Sequence, residues 1–480
     1  MSALDSFISL LPEVKRPERI PTLKNKLLWT GLVLVLFYFM GVIYPIGVDP
    51  TRIQQFERLD ILLGSKTGSL ITAGIGPIVL ASIFLQLAVG SKLVSFDLSS
   101  QEGKKKFQGV QKLLAIFLAF FEAGIYVFSN YITPVGSPAS QFPALMGSLL
   151  ITQIAVILQL ALGSIILLYL DEVVQKHGIG SGISLFIAAG VSQAVFLGAF
   201  NFMSTGTGVP SGLIPAALYH LIGGNITTAF WSLMPIVFTI AVFMVVVYAE
   251  GMKIELPLAY GRARGLGAKY PIKFLYVSNI PVILASAILL NVQLMGAFTA
   301  SPIEGSPGIK AGLLGTYQNN QPIDGFAYFV TALPSPLFFA GGYEAYLQFL
   351  FQSRELMHMI VYGLALILLC VVFGWFWIES TGMGSKEVSA QLQKSGLQIP
   401  GYRQDPRITE KILDRYIPII TILGSLFVGI LAWFADITGA LGTGTGILLT
   451  VGILYRFYED LAKQQLFDLY PQLKTIVRMG

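Results

Sequence analysis

The chain has 480 residues, 54% of them hydrophobic and only 12% charged, about half the charged share of an ordinary soluble domain. A mean hydropathy of +0.71 excludes a single soluble core of this length and marks a polytopic membrane protein. The net charge of +5 is modest, and one cysteine, Cys370, excludes an intrachain disulfide.

Residues 1–26 carry Lys15, Arg16, Arg19, Lys24 and Lys26 with three prolines. No small-residue cleavage site follows the first long apolar run, so no secretory signal is expected. Leu4, Phe7, Ile8 and Leu11 share one helical face, which predicts a short interfacial helix. Apolar runs of membrane-spanning length then fall near 27–46, 70–91, 112–132, 144–170, 182–202, 231–250, 273–296, 356–378, 416–436 and 442–460. These predict an all-α membrane protein of ten transmembrane helices. The stretch 203–230, broken by Pro210, Pro215 and Gly223-Gly224, reads as an external hinge loop between two halves, 27–202 and 231–460. Phe326 to Phe351 is apolar enough for an eleventh span, but Pro334, Pro336 and Gly341-Gly342 interrupt it. It reads as an external loop with interfacial helix character. Residues 461–480 form a tail.

With ten spans both termini share one side. Placing them inside puts 26 lysines and arginines inside and 5 outside, so the positive-inside rule predicts cytoplasmic termini. Span 2 then runs inward and span 7 outward. Both contain nearly the same string, Pro77-Ile78-Val79-Leu80-Ala81-Ser82 and Pro281-Val282-Ile283-Leu284-Ala285-Ser286. Two halves of five spans in opposite orientation are an inverted repeat, a design that places its pathway at the interface between halves.

Few ionisable residues are available to line such a pathway. Glu122 lies well inside span 3; Asp171, Glu172, Glu250 and Asp436 lie at span ends. His177, His220 and His358 have no metal-ligand spacing, and no Ser/His/Asp or Cys/His set forms. No enzyme, metal or cofactor is expected. Ile75 and Val79 share a helical face, as do Ile183 and Ile187; alone, such pairs read as packing or lipid contact. Only an inverted repeat that points them inward favours a pore constriction. The strings Gly178-Ile179-Gly180-Ser181-Gly182 and Gly442-Thr443-Gly444-Thr445-Gly446 lack the βαβ unit of a dinucleotide loop and predict close helix approach. Asn225-Ile226-Thr227 is a glycosylation sequon on the external side. Tyr260-Gly261-Arg262-Ala263-Arg264-Gly265 and Gly401-Tyr402-Arg403 present arginines from long cytoplasmic loops, suited to phosphate backbones or acidic surfaces.

Across essentially its whole length the chain resembles the SecY family, the protein-conducting channel of the general secretory pathway, in its archaeal form. The strings that carry the resemblance are Gly74-Ile75-Gly76-Pro77-Ile78-Val79, Leu170-Asp171-Glu172, Gly178-Ile179-Gly180-Ser181-Gly182-Ile183, Tyr248-Ala249-Glu250, Lys269-Tyr270-Pro271-Ile272-Lys273, Ser278-Asn279-Ile280-Pro281 and Gly439-Ala440-Leu441-Gly442. The resemblance implies a hydrophobic pore ring at Ile75, Val79, Ile183, Ile187, Ile283 and Leu449. It implies a plug half-helix at Phe56-Glu57-Arg58-Leu59-Asp60-Ile61-Leu62-Leu63-Gly64-Ser65, and a lateral gate between spans 2 and 7, with polar gate residues Glu122 and Asn279. The family's small polar gate residue on span 2 falls on Leu80 here, with Ser82 nearby. Ribosome-docking loops match 253–273 and 379–415, with Arg262, Arg264 and Arg403. Implied partners are a SecE-like subunit, a small SecG- or beta-type subunit, translating ribosomes, signal peptides, nascent polypeptides and membrane lipids, but no DNA. The implied location is the cell membrane. The rival reading, an inverted-repeat secondary transporter, requires coupling polar groups at the midplane, against which the aliphatic set argues.

Overall fold

The computed structural model describes residues 11–17, 21–49, 65–90, 93–94, 96, 101–129, 131–137, 140, 142–204, 208–260, 267–277, 280–303, 308–318, 321–336, 339, 342–394, 397–398 and 406–469. Among the described residues, eight helices are long and apolar enough to cross a membrane. They are span 1 (Leu23–Met40), span 3 (Gln101–Phe128), span 4 (Leu149–His177), span 5 (Gly182–Phe200), span 6 (Ile226–Gly251), span 7 (Ile280–Thr299), span 8 (Ser353–Thr381) and span 9 (Pro406–Ile437). Span 2 (Gly76–Gly90) and span 10 (Gly444–Leu469) complete the ten. Span 10 is apolar at first but carries Arg456, Glu459 and Lys463 further along.

Span 2 departs from its predicted length. Fifteen residues cover only about 22 Å at the helical rise, short of a hydrocarbon layer of about 30 Å. The preceding residues 65–75 run through turns rather than helix. Unwound backbone at membrane depth is tolerated only where protein covers it. Accordingly Thr67, Ser69, Ile71, Thr72, Ala73 and Ile75 are buried. The Leu70 amide donates to the Ile43 carbonyl at 2.8 Å, and the Thr72 hydroxyl donates to the Ser69 carbonyl at 2.6 Å. Gly163 of span 4 admits this segment, since a Cβ there would lie 1.9 Å from the Leu70 carbonyl oxygen.

The two repeated strings begin alike. Pro77 and Pro281 each stand second in their helix, in the first turn, where a missing N–H costs nothing. Contacts within the halves are also alike. Span 2 packs on span 3, span 3 on span 4, and span 4 on spans 1 and 5; span 7 packs on span 8, span 8 on span 9, and span 9 on spans 6 and 10. The halves meet chiefly along spans 5 and 10, and along span 2 against spans 7 and 8. Spans 5 and 10 run antiparallel: Gly198 and Gly442 mark contacts between the end of one and the start of the other, and Gly180 abuts Phe457 at the opposite end.

Between the spans the chain is more ordered than its sequence suggests. The 203–230 stretch contains a helix, Leu213–Ile222, and span 6 begins at Ile226. The 326–351 segment is two short helices, Phe326–Val330 and Gly342–Leu350, rather than a span. Tyr343 and Tyr346 donate from the second helix to the Thr438 and Ile437 carbonyls at the end of span 9. Burial pushes the Tyr343 phenol up to about 12. An unforeseen sheet, β3 (Ser301–Pro302), β4 (Ile309–Gly312), β5 (Gly315–Gln318) and β6 (Gln321–Asp324), follows span 7. On the other face of the molecule β1 (Lys253–Tyr260) and β2 (Gly267–Lys273) form a seven-pair antiparallel hairpin.

Replacing Gly163 with leucine should cost about 1–3 kcal/mol through overpacking, whereas Gly31→Leu, with open space around its Cβ, should be neutral. Thermal unfolding of the two variants in detergent provides the comparison.

Candidate functional site

The six residues assigned to a pore ring come from four helices and the turn before span 2, yet they share one apolar cluster. Ile75, Ile187 and Leu449 are buried in it, and Val79, Ile183 and Ile283 pack against it. Most of that cluster belongs to the N-terminal half; Ile283 and Leu449 enter it from the C-terminal half. Val79 also touches the separate core of the C-terminal half, so it sits at the seam between them. All six of these side chains are aliphatic, so they offer no charge or hydrogen-bonding group of their own with which to select a solute.

Spans 2, 7 and 8 border an apolar groove lined by Ile83, Gln86 and Leu87, by Leu284, and by Phe373, Phe376 and Trp377. The late turns of span 2 therefore face the early turns of span 7, as antiparallel helices do. Across spans 2 and 3 the polar contact is made by Ser82, whose hydroxyl accepts from the Gln111 amide at 2.5 Å. Leu80 instead packs with the apolar cores. Gln111 was not singled out in the sequence; it stands one position before Lys112, among the polar residues that precede the apolar run of span 3. Glu122 is buried in span 3, and its Oε2 has no hydrogen-bond partner among the described residues. Asn279 lies outside the described residues, as do Phe56 to Gly64 of the plug assignment; Ser65, the last of that set, is described and partly buried.

The two adjacent acids Asp171 and Glu172 face different ways. Glu172 accepts from Lys112 of span 3 at 3.0 Å and from Lys176 at 2.7 Å. Lys176 also pairs with Glu13 at 3.1 Å, and Lys112 donates to the Pro12 carbonyl at 2.7 Å. This network straps the N-terminal segment onto spans 3 and 4. Asp171 turns toward span 5, where its Oδ1 accepts from the Ile183 amide at 3.0 Å.

The two basic loops converge on one structure. After span 8, β7 (Leu397–Gln398) adds to β1, giving a three-stranded sheet in the order β2-β1-β7. Lys273 at the end of β2 pairs with Glu459 of span 10 at 2.8 Å, which ties the hairpin to the span that carries Leu449. Arg262, Arg264 and Arg403 lie outside the described residues.

Ten helices in two inverted halves, meeting along an aliphatic cluster, define a membrane channel fold. The SecY family model matches residues 69–458. The protein translocase subunit SecY of Methanothermobacter thermautotrophicus is 45% identical, with 98% of each chain covered. A solved structure described as that of a protein conducting channel superposes with a TM-score of 0.78 at 43% identity, covering 98% of this chain and 99% of that one. Sec61 in the canine ribosome-channel complex gives a TM-score of 0.76 at 42% identity over the same shares. The chain belongs to the SecY family.

The Ser82–Gln111 contact should carry a coupling of about 1 kcal/mol in a double-mutant cycle of Ser82→Ala and Gln111→Ala, read from unfolding in detergent. Additive effects of the two changes would contradict it.

Proposed function

We propose that this chain is the pore-forming subunit of a protein translocase, conducting unfolded polypeptides between its two halves and releasing apolar segments sideways into lipid. The observation that carries the reading is the gathering of Ile75, Val79, Ile183, Ile187, Ile283 and Leu449 into one cluster at the junction of the halves. A translocating polypeptide presents every kind of side chain, so polar readout in the pore would reject most of it. A flexible aliphatic ring closes around any extended chain and resists ions by dewetting when empty. Burial of Ile75, Ile187 and Leu449 supports a ring that is shut here.

The groove between spans 2, 7 and 8 supports the lateral route. An apolar substrate segment entering it exchanges the pore for lipid, and the 7–15-residue apolar core of a signal peptide is long enough to hold the seam open. Residues 56–65 would plug the outer funnel, and the 203–230 connection would act as the hinge between halves. Glu122 and Asn279 would contribute polar contacts at the gate.

The excess of basic residues on the hairpin side supports cytoplasmic termini in the cell membrane. The joined β1, β2 and β7 strands would carry Arg262, Arg264 and Arg403 to a ribosome, the partner named for the related canine channel. A SecE-like clamp and a small SecG- or beta-type subunit would complete the complex. The channel performs no chemistry in this reading and draws its driving force from the ribosome or another motor. A coupled transporter is disfavoured, because the six side chains gathered where the halves meet are all aliphatic and none can carry a coupling charge.

Replacing Ile75, Val79, Ile187 and Ile283 together with asparagine should raise resting ion conductance in planar bilayers by at least several-fold. Wild-type conductance would remove the ring assignment. Charge reversal by Arg262→Glu, Arg264→Glu and Arg403→Glu should weaken ribosome binding most at low salt, where screening is least. Flotation of ribosomes with mutant vesicles measures it, and undiminished binding at low salt would contradict the docking role.

A further inference from the structure

The glycine-rich strings before spans 5 and 10 have a common construction that the proposed function does not use. Each helix begins with a glycine that backs directly onto the preceding span. A Cβ on Gly182 would lie 2.5 Å from the Asp171 Cα, and one on Gly444 would lie 2.3 Å from the Ala432 carbonyl oxygen. Each helix also has a first-turn amide bonded to a buried carboxylate from that preceding span. The Ile183 amide donates to Asp171 Oδ1 at 3.0 Å, and the Gly444 amide donates to Asp436 Oδ1 at 2.9 Å. Both carboxylates are almost wholly buried, at 6% and 3% exposure.

The second oxygens hold the carboxylates in place. Asp171 Oδ2 accepts from the Gln175 side chain at 2.8 Å, and the Ser181 hydroxyl adds a bond to Oδ1 at 3.2 Å. Asp436 Oδ2 accepts from the Tyr362 hydroxyl of span 8 at 2.8 Å. Spans 4 and 9 are equivalent in the two halves, as are spans 5 and 10. The same device thus occurs twice, related by the inverted repeat.

From this we infer that Asp171 and Asp436 are paired positioning residues that fix the ring-bearing helices against the spans before them. The inference rests on the ring reading given above. Orphan amides at a helix start need acceptors, and a carboxylate there also meets the positive end of the helix dipole. On span 5 the amide that Asp171 holds is that of Ile183, itself a ring member, and Ile187 stands one turn further on. On span 10 Leu449 lies within the second turn after Gly444. With glycine at the contact, the helix backbone rests on the neighbouring span without a side-chain cushion. The carboxylate then sets the height and rotation at which the aliphatic side chains meet. Without the two bonds, the starts of spans 5 and 10 would be set against the preceding spans chiefly by apolar packing, which fixes axial position poorly; the Tyr38–Ala189 and Lys273–Glu459 contacts lie further along the two helices.

The test uses the full-length chain in lipid nanodiscs for hydrogen exchange and in planar bilayers for conductance. The variants are Asp171→Ala, Asp171→Asn, Asp436→Ala and Asp436→Asn. Thr152→Ala serves as a control, because it removes a buried hydrogen bond of span 4 to Leu145 at the opposite end from Asp171. The alanine variants should exchange about tenfold faster over 182–187 and 444–449 and raise resting conductance several-fold. The asparagine variants keep an acceptor oxygen and should retain most of the protection, which leaves the proposal open to refutation if an alanine variant fails to fold. Thr152→Ala should leave both readouts unchanged. Unaltered exchange in the alanine variants would overturn the inference. So would faster exchange with wild-type conductance, provided that Ile187→Asn in the same bilayers conducts. If Ile187→Asn also stays silent, the ring reading itself fails.

Discussion

Every backbone N–H and C=O that enters the hydrocarbon layer must find its partner inside the protein. Helices meet this demand by themselves, and the ten spans make up about half of the chain. The informative places are those where helix gives way to turns among the spans: residues 65–75 before span 2, 178–181 before span 5, and 438–443 before span 10. Residues 65–75 and 438–443 are largely buried, and all three interruptions are supplied with side-chain acceptors. Ser69 serves the Ile71 amide, Asp171 serves Ile183, and Asp436 serves Gly444. Glycines at 163, 182 and 444 allow the close approach that covering requires. The three interruptions start the helices that carry four of the six residues assigned to the ring, and Ile75 itself lies in the first.

The aliphatic ring and the apolar groove beside it follow one physical logic. A conduit for polypeptides has no constant feature of its cargo to bind, so its walls must be indifferent. Aliphatic side chains give that indifference and still seal, because a narrow apolar constriction empties of water. Val79 packs against both half-cores, which puts the ring and the seam within one helix of each other. In the proposed reading, widening the ring and parting spans 2 and 7 would be coupled through the same residues.

Much of this architecture was legible in the sequence, for reasons that particular residues make clear. Nine of the ten spans announced themselves as long apolar runs, and lysine and arginine placement gave the inverted orientation. Span 2 was overestimated because Leu70, Ile71 and Ile75 are as apolar as a helix core; hydropathy reports burial and is silent on winding. The strands β3 to β6 run two to four residues, too few for an alternating pattern to emerge. In the β1–β2 hairpin Pro257 and Pro271 sit opposite Lys269 and Glu255, and proline within an apolar run argues against a strand. Leu213–Ile222 was hidden by Pro215, which is tolerated only because it falls in the first turn of that helix. The ring residues had only a weak local signature, the shared helical faces of Ile75 with Val79 and of Ile183 with Ile187. In a membrane protein an inward isoleucine reads like an outward one, and only the family resemblance singled these six out. Asp171 and Asp436 were visible as acids at span ends, but the amides they hold are 12 and 8 residues away, across a turn that sequence alone does not shape.

The central claim is that a polypeptide in transit passes through the six-residue ring. Site-specific disulfide formation measures this most directly. Cys370, the only native thiol and a buried one, would first be replaced by alanine. Single cysteines would then stand at Ile75, Val79, Ile183, Ile187, Ile283 or Leu449, and at the outward-facing Leu158 and Phe243 for comparison. A secretory substrate with one cysteine in its translocating segment would be arrested midway and oxidised. The account predicts substrate adducts at the ring positions and none at Leu158 or Phe243. Adducts at the outward positions with none at the ring would contradict it.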